Sequence, residues 1–515
     1  MHYVIGVDIG TSSTKAVVFD AAGQQAGRSA KGYALQSPEP GAAEQNADDI
    51  LQATVQTVRD VVTACDIDAS QLLGISFSAA MHTLLLLDER SHPITPLYTW
   101  ADNRSDKITQ QLKEKTTETS IYQRTGLPIH PMSPMVKLAW LRQTRPEIFE
   151  QATRVVAIKE YVLHRWCGEW VVDLSMASTT GLLNLRSRQW DPAALNIAGI
   201  TTDQLSQLVP TTHQLSLSET YAQKMGLRPG TPIIVGASDG VLSNLGVGAI
   251  NPGQAAITLG TSGAVRQVVP QPITADEAQL FCYALTADRW VMGGAVNNGG
   301  IALQWTRDSL VPYSVAPDEQ RQSNAEPSAS TYERLTKMAS AIAPGADGLI
   351  FHPHILGERA PLWNAQACGN LFGLSRHHTQ AHLVRAVMEG VLYNMQSVFS
   401  ALESAGGSVK TLSASGGFAH SDLWQQMLAD IFEREVQIPT VIESSAFGAA
   451  VLALVVLGEW PDLTHVTECI TIAHTRQPIA KNVKRYQKLL PVYTDLLAGF
   501  QHQYQTLKSA IEPIP

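Results

Sequence analysis

One short pattern occurs twice in this chain, half its length apart. Residues 7–12 read V-D-I-G-T-S and residues 257–262 read I-T-L-G-T-S. The first copy joins two β-rich runs, 3–7 and 16–19, with a turn at 20–23 beyond them. The other copy sits inside 253–269, which again reads as strand–turn–strand. Gly-Thr-Ser is a common tripeptide, so coincidence is the alternative, but the flanking runs repeat as well. Two related domains are expected, and the period is far too long for a solenoid. The boundary falls at Asn251-Pro252-Gly253, giving domains over 1–250 and 251–515. A chain of 515 residues can bury several cores without a disulfide or metal staple.

The runs between the repeats indicate α/β layers. Leu51, Val55, Val58 and Val62 make one face of a helix over 48–65, and 72–77 and 83–87 read as buried strands. The C-terminal half carries three helical stretches. The first, 379–405, places Leu383, Val387, Val391, Met395, Val398 and Leu402 on one face, with Thr379 as its cap and Gly406-Gly407 as its stop. The others are 421–432 and 445–457, the latter ending at Gly458. The polar stretch 312–330 reads as a surface excursion.

Charge and cysteine usage narrow the function classes. The net charge of −9 argues against a general binder of nucleic acid or anionic membranes. The five cysteines lie far apart with no C-x-x-C, which excludes zinc fingers and a disulfide framework and fits a reducing compartment. The apolar run 449–457 is about half of what a bilayer needs. Asp8 interrupts the first apolar stretch and no basic segment precedes it, so the N-terminus is not a secretory signal. A cytoplasmic protein is expected. His352, His354, His377 and His378 lack ligand spacing and read as structural or surface groups, with no zinc site.

Neither a Walker A loop nor a strand-linked G-x-G-x-x-G occurs, so a nucleotide would need another device. The turn Asp8-Ile9-Gly10-Thr11-Ser12-Ser13-Thr14-Lys15 supplies one. Gly10 permits close backbone approach, successive N–H groups and the hydroxyls of Thr11, Ser12 and Ser13 donate, Lys15 adds positive charge, and Asp8 suits a water-bridged magnesium ion. A polar turn without a ligand would have the same sequence. The other turn, Gly260-Thr261-Ser262-Gly263, makes a pair that can pinch a polyphosphate. Asp239, in Gly236-Ala237-Ser238-Asp239-Gly240, ends the apolar run 233–235 and is placed to take a proton from an alcohol. A turn or helix-capping Asp would have a similar setting. Ser415-Gly416-Gly417-Phe418 precedes the helix at Ser421, either as a ligand loop or as a plain β–α turn. Met81-His82 and Trp100 bring the polar and aromatic mixture that suits sugars, although His82 and Trp100 would also serve as core residues.

Taken together these motifs resemble the FGGY carbohydrate kinases over nearly the whole chain. One family signature resembles Met132-Ser133-Pro134-Met135-Val136-Lys137-Leu138-Ala139-Trp140-Leu141. Another resembles Gly369-Asn370-Leu371-Phe372-Gly373-Leu374 followed by His382-Leu383 and Ala386-Val387-Met388-Glu389. Gly357-Glu358-Arg359-Ala360-Pro361 and Gly300-Ile301-Ala302-Leu303-Gln304-Trp305 match as well. The resemblance implies two ribonuclease-H-like α/β domains of the actin, sugar kinase and chaperone ATPase superfamily, with a deep interdomain cleft. It implies sugar binding, the first phosphate loop and the catalytic Asp in 1–250, and nucleotide binding in 251–515.

By the same resemblance Asp239 is the catalytic base and, with Asp8, a magnesium-shell carboxylate. Gly10, Thr11, Ser12, Ser13 and Lys15 face the γ-phosphate, and Gly260 and Thr261 the β-phosphate. Gly300 and Gln304 line the ribose, Gly416, Gly417 and Ser421 flank the adenosine, and Met81, His82 and Trp100 contact the sugar. Glycerol kinases have Arg-Glu where this chain has Met81-His82. The segments 78–82 and 99–105 most resemble gluconate kinases, so the expected reaction is ATP- and Mg2+-dependent phosphorylation of D-gluconate to 6-phosphogluconate. The alternatives are a kinase for xylulose or another pentulose or polyol, and a nucleotide-dependent binding protein of the same superfamily. A carboxylate substrate would want a cation, and Arg104, Lys137 and Arg359 are the candidates. The expected partners are the sugar or sugar acid and ATP, with no nucleic acid and no membrane, and a homodimer is left open.

Overall fold

The computed structural model describes residues 2–115, 118–275, 277–311, 329–440 and 443–511. The expected polar excursion at 312–330 lies outside them up to residue 328. The chain forms two compact units. The first comprises Met1–Pro252, Gln267–Met292 and Thr440–Thr471, and the second Gly253–Arg266, Gly293–Pro439 and Ile472–Pro515. The repeat divides the sequence by one cut near 251, whereas the packed units interleave along the chain. Among the described residues no helix is long and apolar enough to cross a membrane.

The first unit is built on strands β1 (Tyr3–Ile9), β2 (Ser13–Asp20) and β3 (Gln25–Gly32), helix α1 (Ala47–Ala64), strand β4 (Leu72–Ala79), the short helix α2 (Leu174–Ser178), strands β5 (Gln214–Ser216) and β6 (Pro232–Ser238), and helix α3 (Asp239–Gly246). Its sheet runs in the order β5-β6-β4-β1-β2-β3. β1, β2 and β3 are antiparallel neighbours, while β4 lies parallel to both β1 and β6. Asp8 is in register with Ser78, and Ser238 with Ala79. Asp8, near the end of β1, and Asp239, one residue past β6, therefore emerge at the same carboxyl edge on either side of β4. Ligands of open α/β sheets commonly bind at such an edge. Helix α1 begins one residue before the expected 48. Asn46 caps it by accepting from the Asp48 and Asp49 N–H groups, and Leu51, Val58 and Val62 join Ile5, Val7, Phe77 and Val235 in the core.

The second unit repeats the plan with β7 (Gln254–Leu259), β8 (Gly263–Val269), β9 (Trp290–Val296), α4 (Gly300–Ser309), α5 (Gln380–Gly406), β10 (Thr411–Ser415), α6 (Asp422–Phe432) and β11 (Glu435–Pro439). Helix α7 (Ser444–Val456) then returns to the first unit, and β12 (Ile472–Arg476) closes the second sheet. That sheet has seven strands and runs from the edge strand Phe281–Ala284 through β9-β8-β7-β10-β11-β12, with β10 parallel to β7 and β11. Each β1–β2-like hairpin thus borders a parallel pair, and each sheet carries an antiparallel strand beyond its parallel ones. Helix α5 keeps its Thr379 cap, but burial surrounds it from Val384 to Met395, with only Leu383 of the expected face half-buried.

Helix α7 accounts for one of the two segments that return to the first unit, Thr440–Thr471. It is buried from Ala446 to Leu454 and needs apolar surface on nearly every side. It packs on β1, β4 and α3, where glycines let backbones touch. A methyl at Gly6 would collide with the Ala446 carbonyl, one at Gly246 with the Ser444 carbonyl, and one at Gly448 with the Leu242 carbonyl. Gly6→Ala should therefore cost at least about 1–3 kcal/mol in chemical denaturation, the range for overpacking a rigid core. Gly499→Ala, at an exposed helical site with nothing within 4 Å of the added carbon, should be neutral or stabilise by up to about 1 kcal/mol. Equal stability of the two variants would contradict the close approach of α7 to β1.

Candidate active site

The first turn is shaped by what holds its carbonyl groups. Gly10 N–H donates to Ser13 O at 3.0 Å, closing the turn. Tyr33 Oη then donates to Gly10 O at 2.5 Å, Gln45 Nε2 to Thr11 O at 2.7 Å and Tyr33 N–H to Ser12 O at 3.3 Å. Three successive carbonyl oxygens, each a partial negative charge, are engaged on the protein. Such a turn no longer opposes an approaching anion with its own acceptors. Trp100 Nε1 donates to Thr11 Oγ1 at 3.0 Å, which ties an expected sugar-contact residue to the phosphate turn. Neither Tyr33 nor Gln45 carries a motif; only the structure brings them in.

The turn at 260–263 solves the same problem from its own unit. Gly260 N–H donates to Ser262 O at 2.9 Å. The N–H groups of Gly299 and Ile301 both donate to Thr261 O at 3.1 Å, and Gly300 N–H donates to Gly260 O at 2.7 Å. These donors come from the start of α4, so Gly300 lies against Gly260 while Gln304 follows one turn later, half-buried. Gly416 has φ +107°, and a side chain there would run into Leu259 O. The glycine is required for its backbone conformation. Gly416 and Gly417 are exposed, and Ser421 caps α6, its Oγ accepting from Trp424 N–H at 3.4 Å.

Asp8 and Asp239 are close enough to feel each other's charge. Burial, then Asp239, push the Asp8 carboxyl up to about 7, against a hydrogen bond from Ser78 Oγ at 2.7 Å and the pull of Lys15. Asp239 opens α3, and its Oδ1 accepts from Gly240 N–H at 2.7 Å. The cap position of α3 belongs to Ser238, and Asp239 is its first helical residue, its charge acting on Asp8. Behind it, Ser238 N–H donates to Ser175 Oγ at 3.2 Å. Ser175 sits on α2, which Asp173 caps at 2.9 Å, and Asp173 pairs with Lys159 at 2.6 Å in full burial. No motif in the sequence marks this buried Lys–Asp pair.

Other expected residues stand as follows. Lys15 Nζ is paired with Glu443 Oε2 at 2.7 Å, and Arg28 holds Glu443 Oε1 at 3.0 Å. Glu443 precedes α7 and carries no sequence signal. Met81 is half-buried. His82 has φ +61° and is buried. Its Nδ1 lies 2.7 Å from Thr179 O, which can only accept, so the proton is on Nδ1. In the neutral ring Nε2 is then an acceptor, 3.4 Å from Tyr283 Oη.

The three cations considered for a carboxylate are all committed elsewhere. Arg104 binds Glu39, Glu44 and Asp102. Lys137 donates to the carbonyls of Pro131 and Met132 at 3.0 and 2.6 Å, and burial pushes it down to about 7. Arg359 is buried in the second unit and donates to Val296 O at 3.2 Å. Asp102 accepts from Ala43 N–H and Arg104 and is a structural carboxylate. His352 and His354 are buried and hydrogen-bonded.

Two carboxylates that raise each other's affinity for positive charge fit a divalent cation brought in with a nucleotide and still largely hydrated. Among the described residues no group of three or more His, Cys, Asp or Glu is arranged to hold a metal without one.

Comparison with known proteins gives a consistent neighbourhood. The N-terminal domain model of the FGGY family of carbohydrate kinases matches residues 3–246, and its C-terminal domain model matches 255–457. A gluconokinase of Bacillus licheniformis is 45% identical over 98% of this chain and 97% of its own length. A xylulose kinase of Bacillus subtilis is 29% identical over 99% of both. Among solved structures, gluconate kinase from Lactobacillus acidophilus superposes with a TM-score of 0.91 at 35% identity, covering 98% of this chain and 99% of that one. A ligand-bound xylulose kinase from the same organism gives 0.91 at 34%, covering 98% and 100%.

The Asp8 environment makes a pH-dependent prediction. The folded protein holds this proton up to about pH 7 and the unfolded chain only to about 3.8, so folded protein binds more protons between those values. Stability from this group is therefore fullest below about 4 and declines as pH rises through 7. Without nucleotide and with chelator present, Asp8→Asn should melt higher than the unaltered protein at pH 8, and the advantage should shrink clearly by pH 5 and vanish only below about pH 4. An advantage of equal size at both pH values, or a loss at pH 8, would contradict the strained carboxylate pair.

Proposed function

The chain belongs to the FGGY family of carbohydrate kinases, with the two-domain ribonuclease-H-like fold of that family and ATP as its phosphoryl donor, and from that premise we propose that it phosphorylates D-gluconate on its terminal hydroxyl to give 6-phosphogluconate. The observation that carries the substrate is the 45% identity, end to end, with the gluconokinase of Bacillus licheniformis. Met81-His82 in place of the Arg-Glu of glycerol kinases argues against glycerol, and the pair resembles both xylulose kinases and gluconate kinases.

In this reading residues 1–250 contribute sugar binding, the first phosphate turn and the base, and 251–515 contribute the nucleotide site. Asp239 accepts the proton of the C6 hydroxyl as its oxygen bonds to the γ-phosphorus and the bond to the ADP oxygen breaks. Transfer of this kind passes through a loose transition state, so a carboxylate of ordinary basicity suffices once the hydroxyl is aligned. His82, its ring fixed by Thr179 O, lines the sugar position with Met81 and Trp100, which cover the carbon face. Trp100, through Thr11, couples sugar position to the turn of Gly10, Thr11, Ser12 and Ser13 that takes the γ-phosphate. Thr261 and Gly260 take the β-phosphate, Gly300 and Gln304 the ribose, and Gly416, Gly417 and Ser421 the adenosine. Lys15 acts at this site in a cluster with Glu443 and Arg28, two cations on one carboxylate. Magnesium bound with ATP, held through Asp8 and Asp239, supplies neutralisation of the charge on the transferring phosphoryl group. A cytoplasmic site of action fits the supply of ATP and the five free cysteines.

D-xylulose is the alternative reading, because the xylulose kinase structure superposes as well as the gluconate kinase structure does. Arg104, Lys137 and Arg359 each hold partners within the protein. The expected preference in kcat/KM for gluconate over xylulose is at least about tenfold, the scale of discrimination by pocket fit; a ratio at or below one would make xylulose the substrate. With the preferred sugar, Asp239→Asn should lower kcat by at least about 10²-fold, as loss of a general base does, with both KM values within about tenfold. If Asp239 only serves the start of α3, the variant should lose melting temperature while its folded fraction turns over normally.

A further inference from the structure

The motif Gly357-Glu358-Arg359-Ala360-Pro361 has so far no part in the reaction. Glu358 is completely buried. Its Oε1 accepts from Asn297 N–H at 2.5 Å and from Arg359 N–H at 2.9 Å, and its Oε2 accepts from Asn298 Nδ2 at 3.0 Å and Asn394 Nδ2 at 2.8 Å. Burial raises this carboxyl above its ordinary range, and the donors and Arg359 oppose that rise. All four contacts are donors, so the ionised form is the one they bind. The backbone is pinned as well: Glu358 and Asn364 exchange both of their backbone hydrogen bonds at 2.9 Å, and Ala360 N–H donates to Ala295 O at 3.0 Å. Asn298 also donates to Gly357 O at 2.7 Å and accepts from Leu356 N–H at 3.1 Å.

What the clamp holds is the short link between β9 and α4. Asn297 and Asn298 are followed at once by Gly299, Gly300 and Ile301, whose three N–H groups occupy the carbonyls of Gly260 and Thr261. A side chain on Gly299 would meet Ser262 backbone at 2.7 Å, so the link has no slack against the turn. An anchor that moved by about an ångström would carry the turn with it, and misplacement on that scale is costly for a bound phosphate.

We propose that Glu358 is a positioning residue for nucleotide binding: its buried carboxylate clamps Asn297 and Asn298, which in turn fix the Gly260–Thr261 turn. The inference rests on the reading that this turn takes a phosphate of ATP. It requires a functional signature beyond stability, because a carboxylate that served only the core would affect melting and leave the folded enzyme's ATP dependence unchanged.

The test compares Glu358→Gln, Asn298→Ala and Thr261→Val in the full-length enzyme, titrating ATP at saturating gluconate, gluconate at saturating ATP, and MgADP by calorimetry. Glu358→Gln places an amide donor among the four donors, and Asn298→Ala removes one link while leaving the carboxylate three partners. The expected result is a rise in ATP KM and ADP Kd of about tenfold for Glu358→Gln and about threefold for Asn298→Ala, the scale of one perturbed charged hydrogen bond. Gluconate KM should stay within about twofold. If Glu358→Gln does not fold, Asn298→Ala alone decides. Raised ATP KM in Thr261→Val with unchanged ATP KM in the folded Glu358 and Asn298 variants would overturn the clamp. Unchanged nucleotide parameters in Thr261→Val would instead overturn the phosphate reading of the turn.

Discussion

A turn that receives phosphate must first dispose of its own carbonyl oxygens. Backbone N–H groups can point at an anion only if the acceptors beside them are turned away and satisfied, since a buried or crowded carbonyl repels the same charge its neighbour attracts. The two repeated turns meet this condition with unrelated donors. Tyr33 and Gln45 serve Gly10, Thr11 and Ser12, and the first amides of α4 serve Gly260 and Thr261. The repeated Gly-Thr-Ser supplies the turn, and the surrounding unit supplies its polarity. The extended network around Glu358 is a further layer of the same arrangement.

Charge placement follows a related logic. Asp8 and Asp239 are carried to one edge by parallel strands flanking β4, and their proximity is unfavourable in the absence of cations. Opposite charge nearby is held in check: Lys15 is matched by Glu443, and Lys159 by Asp173. A site that keeps its acids close and its bases paired is poised to gain most from a cation that arrives with the substrate. The three cations that the sequence offers a carboxylate sugar, Arg104, Lys137 and Arg359, hold partners within the protein as well.

The sequence is informative where local rules act alone. The hairpin repeat, the caps at Thr379 and Ser421, the Gly458 stop and the strand leading to Asp239 are all set by residues within a few positions of one another. What it leaves illegible is set by partners far along the chain. Glu443 has no motif and becomes meaningful only because α7 folds back onto β1, bringing it to Lys15. Gln45 and Tyr33 are ordinary polar residues until the turn of residues 10–12 lies against them. Lys137 reads as an available cation in a family signature, yet its helix buries it against carbonyls. The return of Thr440–Thr471 to the first unit has the same origin, since a helix apolar on every side does not announce which sheet it will cover. The strand–turn–strand hairpin in each unit, by contrast, is legible in the repeat itself.

The central claim is transfer of the γ-phosphoryl group of ATP to the primary hydroxyl of a sugar acid. Phosphorus-31 NMR of the products formed from ATP and D-gluconate tests it most directly. The account predicts stoichiometric ADP and a new phosphomonoester whose phosphorus couples to two methylene protons, as a C6 phosphate requires. A phosphomonoester coupled to a single methine proton, or inorganic phosphate released without any sugar ester, would contradict it.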